Sequence, residues 1–377
     1  MDEKKYRICQ KCIMDTSDPD IEFDGHGICN HCLQVEKALE CYPFNLSSED
    51  KKKELNRMVQ KIKEAGKNSA YDCMIGVSGG VDSTYVAYLV KKMGLRPLAV
   101  HLDNGWNLEL ATHNIEKLCK KLAIDLYTHV LNWEEFRDLQ ISFLKASTPD
   151  SEIPTDHALQ GLFYRQAAKH HIKYMIIGCN FKSESILPPA WSHGHYDWKY
   201  IASIQKSFGK IPLKTFPGLS YSKWFYFKIL RGITFFPVLN YIDYNKTEAM
   251  AFLEKELGWQ YYGGKHHESL YTKFIQSYIL PVKFGYDKRK AHLSSLINSG
   301  QLSREEALAE MNKELYPAEE LARDRSYVLK KLGLTDSEFE KIMSLPKKCF
   351  WDYPSYEKSW YYNLAKKSAR ILSGFSR

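Results

Sequence analysis

Apolar positions along the chain switch between two spacings. Residues 71–77 form a short, mostly apolar run of the kind that makes a buried strand. The segment 84–92 instead places apolar residues at Tyr85, Val86, Leu89 and Val90 and closes on Lys91 and Lys92. That spacing predicts an amphipathic helix with cations in its last turn. The alternation continues: strands at 97–103, 126–131 and 174–178, helices at 110–122, 133–146 and 158–170. Such a rhythm predicts an α/β fold, a parallel sheet with helices on both faces. A charged helix precedes it at 47–66, capped by Ser47 or Ser48 and closed by Gly66. Residues 186–236 break the rhythm with Trp191, Trp198, Tyr221, Trp224, Phe225, Tyr226 and Phe227, and read as an insertion that packs on the sheet or makes a homo-oligomer contact. Helical spacing resumes at 245–257, and the chain reads helical beyond about 283. Three units follow: a cysteine-bearing module at 1–45, an α/β domain at 46–260, and a mainly helical region at 261–377.

A chain of 377 residues exceeds one small core, which agrees with that division. Its formal net charge of +8 favours anionic partners without choosing among nucleotides, nucleic acid and acidic proteins. Asp2, Glu3, Lys4, Lys5 and Arg7 leave no apolar core for a signal peptide. No apolar run reaches bilayer length, since Lys228 and Arg231 interrupt the most apolar stretch. The expectation is a cytoplasmic protein with reduced thiols and no integral membrane segment.

Four of the nine cysteines carry more information. Cys9-Gln-Lys-Cys12 and Cys29-Asn-His-Cys32 are two C-x-x-C knuckles, each offering two thiolates from one turn, and together they complete the tetrahedral set that zinc prefers. Gly25 and Gly27 just before the second pair suit a tight hairpin. A redox dithiol and an iron–sulfur cluster are the alternatives. A structural zinc ion would staple a module too small to hold a core of its own.

Between the first strand and its helix lies Ser78-Gly79-Gly80-Val81-Asp82-Ser83. A strand, a glycine turn and a helix start aim backbone N–H groups at one spot, where an anion belongs. The loop is neither a Walker loop nor G-x-G-x-x-G. It resembles the PP-loop, S-G-G-x-D-S, of ATP pyrophosphatases, which cleave ATP between its α and β phosphates. On that resemblance Gly79 and Gly80 admit the pyrophosphate, Ser78 and Ser83 donate hydroxyls, and Asp82 organises Mg2+. It further implies that His101 and Asp103, ending the second strand, meet the adenosine. Gly178 and Asn180 end the fourth strand near the nucleotide, and Lys246, at a helix start after Pro237-Val238-Leu239, contacts pyrophosphate; a solvated surface lysine is the alternative there.

Two later blocks concentrate titratable groups. Lys265, His266, His267 and Glu268 follow Gly263-Gly264, and include possible proton acceptors; a hydrogen-bonded structural cluster is the alternative. Lys283, Lys288, Arg289 and His292 lie in a run that Pro281 and Gly285 make unsuitable for a regular exposed helix, and they read as a second anion site for a substrate's phosphates. The basic tail with Trp351, Trp360, Tyr361 and Tyr362 docks a partner or forms an amphipathic helix.

Taken together, the knuckles, the opening run from Cys12-Ile13-Met14-Asp15-Thr16 to Gly27-Ile28-Cys29-Asn30-His31-Cys32, the PP-loop, and the Lys265 and Lys283 blocks resemble the N-acetyl sugar amidotransferases of bacterial surface-polysaccharide (O-antigen) and nonulosonic-acid pathways. The match covers most of residues 9–310 and is weaker in the aromatic insertion and the last sixty residues. The resemblance implies an ATP-dependent carbon–nitrogen ligase that turns the acetamido group of a nucleotide-linked sugar into an acetamidino group. AMP is transferred to the acetamido oxygen, pyrophosphate leaves, and ammonia displaces AMP. The implied catalytic residues are Asp82, Ser83, Lys246, Lys265, His266, His267 and Glu268. With Met1-Asp2 at the start and no glutaminase domain, the expected ammonia source is a separate glutaminase similar to that of imidazole glycerol phosphate synthase, with its barrel partner. The rival is a PP-loop enzyme that thiolates tRNA. Such enzymes use a downstream cysteine pair, whereas Cys119, Cys179 and Cys349 are single, so no nucleic-acid partner is expected.

Overall fold

A computed structural model describes residues 5–262, 268–359 and 362. Its centre is a five-stranded, wholly parallel sheet of order β3-β2-β1-β4-β5, with β1 Cys73–Gly76, β2 Pro97–Asp103, β3 Asp125–Val130, β4 Tyr174–Ile177 and β5 Thr234–Pro237. Strand order reverses between β1 and β4, which opens a crevice at their carboxyl ends. The helices are α1 Asn30–Leu39, α2 Ser48–Gly66, α3 Val81–Lys92, α4 Glu109–Leu122, α5 Trp133–Ala146, α6 Ile153–Lys169, α7 Phe181–Glu184, α8 Trp198–Phe208, α9 Tyr221–Phe225 and α10 Lys246–Leu257. After these come α11 Leu270–Phe274, a π-helical continuation Ile275–Phe284, α12 Lys288–Asn298, α13 Arg304–Met311, α14 Ala318–Leu332 and α15 Asp336–Ser344. Among the described residues no helix is long and apolar enough to cross a membrane.

Side chains alternate across the pleat, so each strand feeds two cores. Cys73, Ile75 and Val77 face α2, α3, α4 and α10; Met74, Leu98, Val100 and Met175 face α5, α6 and α8. Tyr271, Phe274, Val328 and Phe339 from the C-terminal region join this second core, so that region shares a hydrophobic interior with the α/β domain. Caps hold several helix starts: Ser47 Oγ accepts from Asp50 N at 3.1 Å and Asn245 Oδ1 from Thr247 N at 2.9 Å.

Three features depart from the sequence expectations. The end of the 186–236 segment is part of the sheet, because Thr234–Pro237 pairs with β4 as an edge strand whose terminal proline needs no partner. The cysteine module contains a helix, α1, starting directly after Cys29. The cationic run is divided: a π-helix ends at Gly285, which adopts φ +80°, and a regular α-helix starts at Lys288 under an Asp287 cap.

Candidate functional site

The loop 78–83 lies at the carboxyl end of β1 and enters α3 with Gly80 as the N-cap. Gly79 has φ +81°, a left-handed conformation natural to glycine. A Cβ there would lie 2.5 Å from the Ala111 carbonyl oxygen. The two serines brace the turn: their Oγ atoms are 3.2 Å apart, Ser83 Oγ donates to Gly80 O at 3.1 Å, and Gly80 N donates to Ser78 Oγ at 3.3 Å. Free N–H groups of the first turn of α3 and the helix dipole then face one point.

Partners from distant segments roof this loop. Trp259 Nε1 donates to Gly79 O at 2.8 Å. The Tyr244 hydroxyl donates to Asp82 Oδ1. Burial, then the Asp82 charge, pushes the Tyr244 phenol well above its ordinary range, so it remains a donor. Tyr262 Oη and Glu268 Oε1 lie 3.1 and 3.7 Å from where a Gly80 Cβ would stand. Glu268 is fixed there by its backbone, since Leu108 N donates to Glu268 O at 2.8 Å and Asn107 bridges Ser269. Lys265, His266 and His267 lie outside the described residues.

The other nucleotide candidates flank the loop. His101 Nδ1 donates to Val77 O at 2.8 Å, and its Nε2 accepts from Asn107 Nδ2 at 3.1 Å. Burial lowers its pKa, so the neutral ring with the proton on Nδ1 is the form that fits both bonds. Asp103 Oδ1 accepts from Gly105 N at 2.8 Å, closing the turn after β2. Across the crevice, a Cβ on Gly178 would lie 3.2 Å from the Asp82 carbonyl carbon, so β4 abuts the loop directly. Asn180 is buried and caps α7 through Oδ1; its Nδ2 has no partner among the described residues, an unused donor beside the loop.

On the β4 side a cavity of about 1500 Å3 opens. Lys246, Cys179 and Glu184 line it near β4, and Lys288, Arg289 and His292 of α12, a helix packed against α7, line it as well. Tyr164, Tyr196, Tyr221 and Trp224 supply an aromatic side. Lys283 does not reach it. Its ammonium is buried against the Ile342 carbonyl near the end of α15, and burial lowers its pKa to about 8. That is a helix-terminus contact in place of the substrate role expected for it. Arg289 is also engaged, with Asp287 and with the carbonyls of Glu310 and Lys313.

One cluster escaped sequence reasoning. Asp150, buried at the foot of α6, accepts from Ser192 Oγ and lies 3.6 Å from Lys288 Nζ and 3.7 Å from His195 Nε2. These residues come from three distant segments that no local spacing connects. Neighbouring Glu152 is buried; desolvation raises its carboxyl to about 8, and Oε2 accepts from Thr272 Oγ1 at 2.6 Å.

The four knuckle cysteines are brought together. All Sγ atoms lie within 4.8 Å, with Cys12–Cys29 and Cys29–Cys32 at 3.7 Å and Cys9–Cys32 at 4.0 Å. A tetrahedron with metal–sulfur bonds of about 2.3 Å has edges near this length, so the donor set fits zinc. Cys29 N points to Cys9 Sγ at 3.2 Å and Met14 N to Cys12 Sγ at 3.4 Å, contacts that favour thiolates.

Two family models match separate parts of this chain. Residues 52–188 match the NAD synthase family model, and residues 268–368 match the model described as LPS biosynthesis protein WbpG-like, C-terminal domain. An uncharacterized protein of Methanocaldococcus jannaschii is 34% identical over 120 residues, 32% of this chain and 39% of that protein. A tRNA(Ile)-lysidine synthase of Chlamydia pneumoniae is 34% identical over 17% of this chain and 21% of its own length. A glutamine-hydrolyzing GMP synthase of Pyrobaculum aerophilum is 38% identical over 19% of this chain and 14% of its own. The chain thus spans well under half the length of these curated relatives. Among solved structures, NMN synthetase from Francisella tularensis aligns at 18% identity over 60% of this chain and 91% of that one, with a TM-score of 0.29. An NH3-dependent NAD synthetase from Campylobacter jejuni aligns at 18% identity over 56% and 85%, with a TM-score of 0.30.

Proposed function

Because the chain joins a PP-loop domain of the ATP pyrophosphatase superfamily to a WbpG-like C-terminal domain, we propose that it is an ATP-dependent N-acetyl sugar amidotransferase. The observation that carries this reading is the placement of the two halves. The PP-loop ends β1, and the adjoining cavity on the β4 side is walled by α12 of the WbpG-like domain. ATP lies over the loop towards His101, with Mg2+ on Asp82 among the phosphates. The acceptor, a nucleotide-linked N-acetyl sugar, enters the cavity and brings its acetamido oxygen to the α-phosphorus. Loop N–H groups and Lys246 hold the charge that develops on pyrophosphate.

In this reading ammonia comes from a separate glutaminase subunit that works with the chain in the cytoplasm, and the four cysteines hold a structural zinc ion. Thiol chemistry on tRNA fits less well, since Cys179 lines the cavity without a second cysteine among the described lining residues, and Cys119 is buried with its thiol pushed up to about 11. The test is an incubation of the purified chain with ATP, Mg2+, ammonium at high pH and UDP- or CMP-linked N-acetyl sugars. Expected products are AMP, pyrophosphate and an acetamidino sugar nucleotide, with glutamine inert until the glutaminase is added. Release of ADP and phosphate refutes the reading, and full glutamine-dependent activity from this chain alone refutes the partner.

A further inference from the structure

Amidine formation makes a charge as well as a bond. A neutral acetamido group enters and a planar amidinium cation leaves. The junction between the loop and the acceptor cavity must therefore receive a positive charge and move one proton. We propose that Glu184 is the acid–base group at that junction, a role that rests on the amidotransferase reading above.

Position singles out this carboxylate. Glu184 closes α7, the single turn that follows β4, and its Oε2 lies 3.5 Å from Asn180 N. It lines the cavity beside Lys246 and Cys179. The turn that carries it follows Gly178, which packs on the loop: a Cβ there would lie 3.2 Å from the Asp82 carbonyl carbon. The other carboxylates that line the cavity, Asp156, Asp287, Glu306, Glu310, Glu314 and Glu357, lie on elements other than the turn after β4. Asp156 lies 3.4 Å from His195 and Glu357 3.2 Å from His193. Glu268 stands over Gly80 and is not part of the cavity wall.

The chemistry balances through this group. The acetamido oxygen attacks the α-phosphorus, the bond to pyrophosphate breaks, and an O-adenylyl imidate forms that keeps its N–H and so carries a positive charge. Ammonia adds to the imidate carbon, and the carbon–oxygen bond to AMP breaks. The incoming nitrogen starts with three protons and keeps two. Glu184 takes the third, hands it to the departing phosphate, and returns as a carboxylate facing the amidinium.

The experiment uses the full chain with Glu184→Gln and Glu184→Asp, ATP, Mg2+, ammonium and the sugar nucleotide that the wild type converts. ATP–pyrophosphate exchange in the presence of the sugar reads the first half-reaction, and amidine yield reads the second. Glu184→Gln should keep exchange near the wild-type rate and lose about 100-fold or more in amidine formation, the usual scale of a lost acid–base group. Glu184→Asp should recover part of that loss. Amidine formation at the wild-type rate in Glu184→Gln overturns the role and leaves the amidotransferase reading standing. Loss of exchange in both variants moves Glu184 to ATP binding and also overturns it. A wild type that makes no amidine from any sugar nucleotide removes the reading and the role together.

Discussion

Gly79→Ala puts the loop geometry to a quantitative test. At φ +81° an L-residue costs about 1–2 kcal/mol. The new Cβ would stand 2.5 Å from Ala111 O, 3.0 Å from its carbonyl carbon and 3.1 Å from its Cα, all backbone at the start of α4. Backbone cannot swing aside, so the loop must move, and moving it strains the bond from Trp259 Nε1 to Gly79 O, worth about 0.5–1.5 kcal/mol. The expected loss is about 1.5–3.5 kcal/mol of folding stability. ATP binding should fall as well, because the same shift turns the N–H groups of the loop away from the phosphates. Gly232→Ala separates the two causes. Gly232 has φ +66° but nothing within 4 Å of its Cβ position, so it carries the conformational cost alone, about 1–2 kcal/mol. Denaturant unfolding of both variants, with equilibrium ATP binding, reads the outcome. Equal stability losses and unchanged ATP affinity in Gly79→Ala would refute the argument from close approach.

Metal analysis of freshly purified protein should find about one zinc per chain, as a four-thiolate site requires; a well-folded sample with none refutes the site. Arg304→Ala, which removes bonds to Cys9 O and Cys12 O at 3.1 Å each, should hasten metal loss to a chelator and leave ATP binding unchanged. Burial lowers His157 to about 4, so in the folded chain it stays neutral where an unfolded histidine, near 6.5, takes up a proton. Stability should therefore fall as pH drops from 6.5 towards 4, by up to about 3 kcal/mol, and His157→Phe should flatten that limb; an unchanged slope in urea midpoints refutes it.

Strands β1, β2 and β4 were legible because each is a short, largely apolar run followed or preceded by helical spacing, and β3, more polar and exposed, because its aromatic and β-branched residues lie between two helical patterns. β5 was not, since Thr234–Pro237 ends in proline and continues an aromatic stretch without alternation. The loop itself was legible because its chemistry is local: two glycines, two serines and an aspartate within six residues. Its roof was not. Tyr244, Trp259 and Tyr262 come from segments far along the chain that pack on the same core as α3, and nothing in their spacing marks them. The cationic run misled at one point for a related reason. Charge is visible in sequence but direction is not, and the π-helix turns Lys283 into the protein while Lys288 and His292 face the cavity.

The cysteine module gains a purpose from what it touches. Its contacts are made largely with α12 and the start of α13. Ile13 N donates to Ser294 Oγ at 3.2 Å, Lys290 pairs with buried Asp15, Asn298 Nδ2 approaches Cys32 Sγ at 3.4 Å, and Arg304 holds the knuckle carbonyls. On its other flank α12 meets the segment after β4: His292 Nδ1 donates to Ser183 O at 3.1 Å, and Ser295 Oγ accepts from Ile186 N at 3.0 Å. The helix that presents Lys288 and His292 to the cavity is therefore clamped between the knuckles and the turn that carries Glu184. Cys9, Cys12, Met14 and Val35 pack with Trp191 and Ala291, too few apolar groups to make the module rigid alone. Four thiolates closed around one ion would supply that rigidity. Opening them would loosen the cavity wall first, because the 78–83 loop takes its support from Ala111, Trp259 and Tyr244 instead.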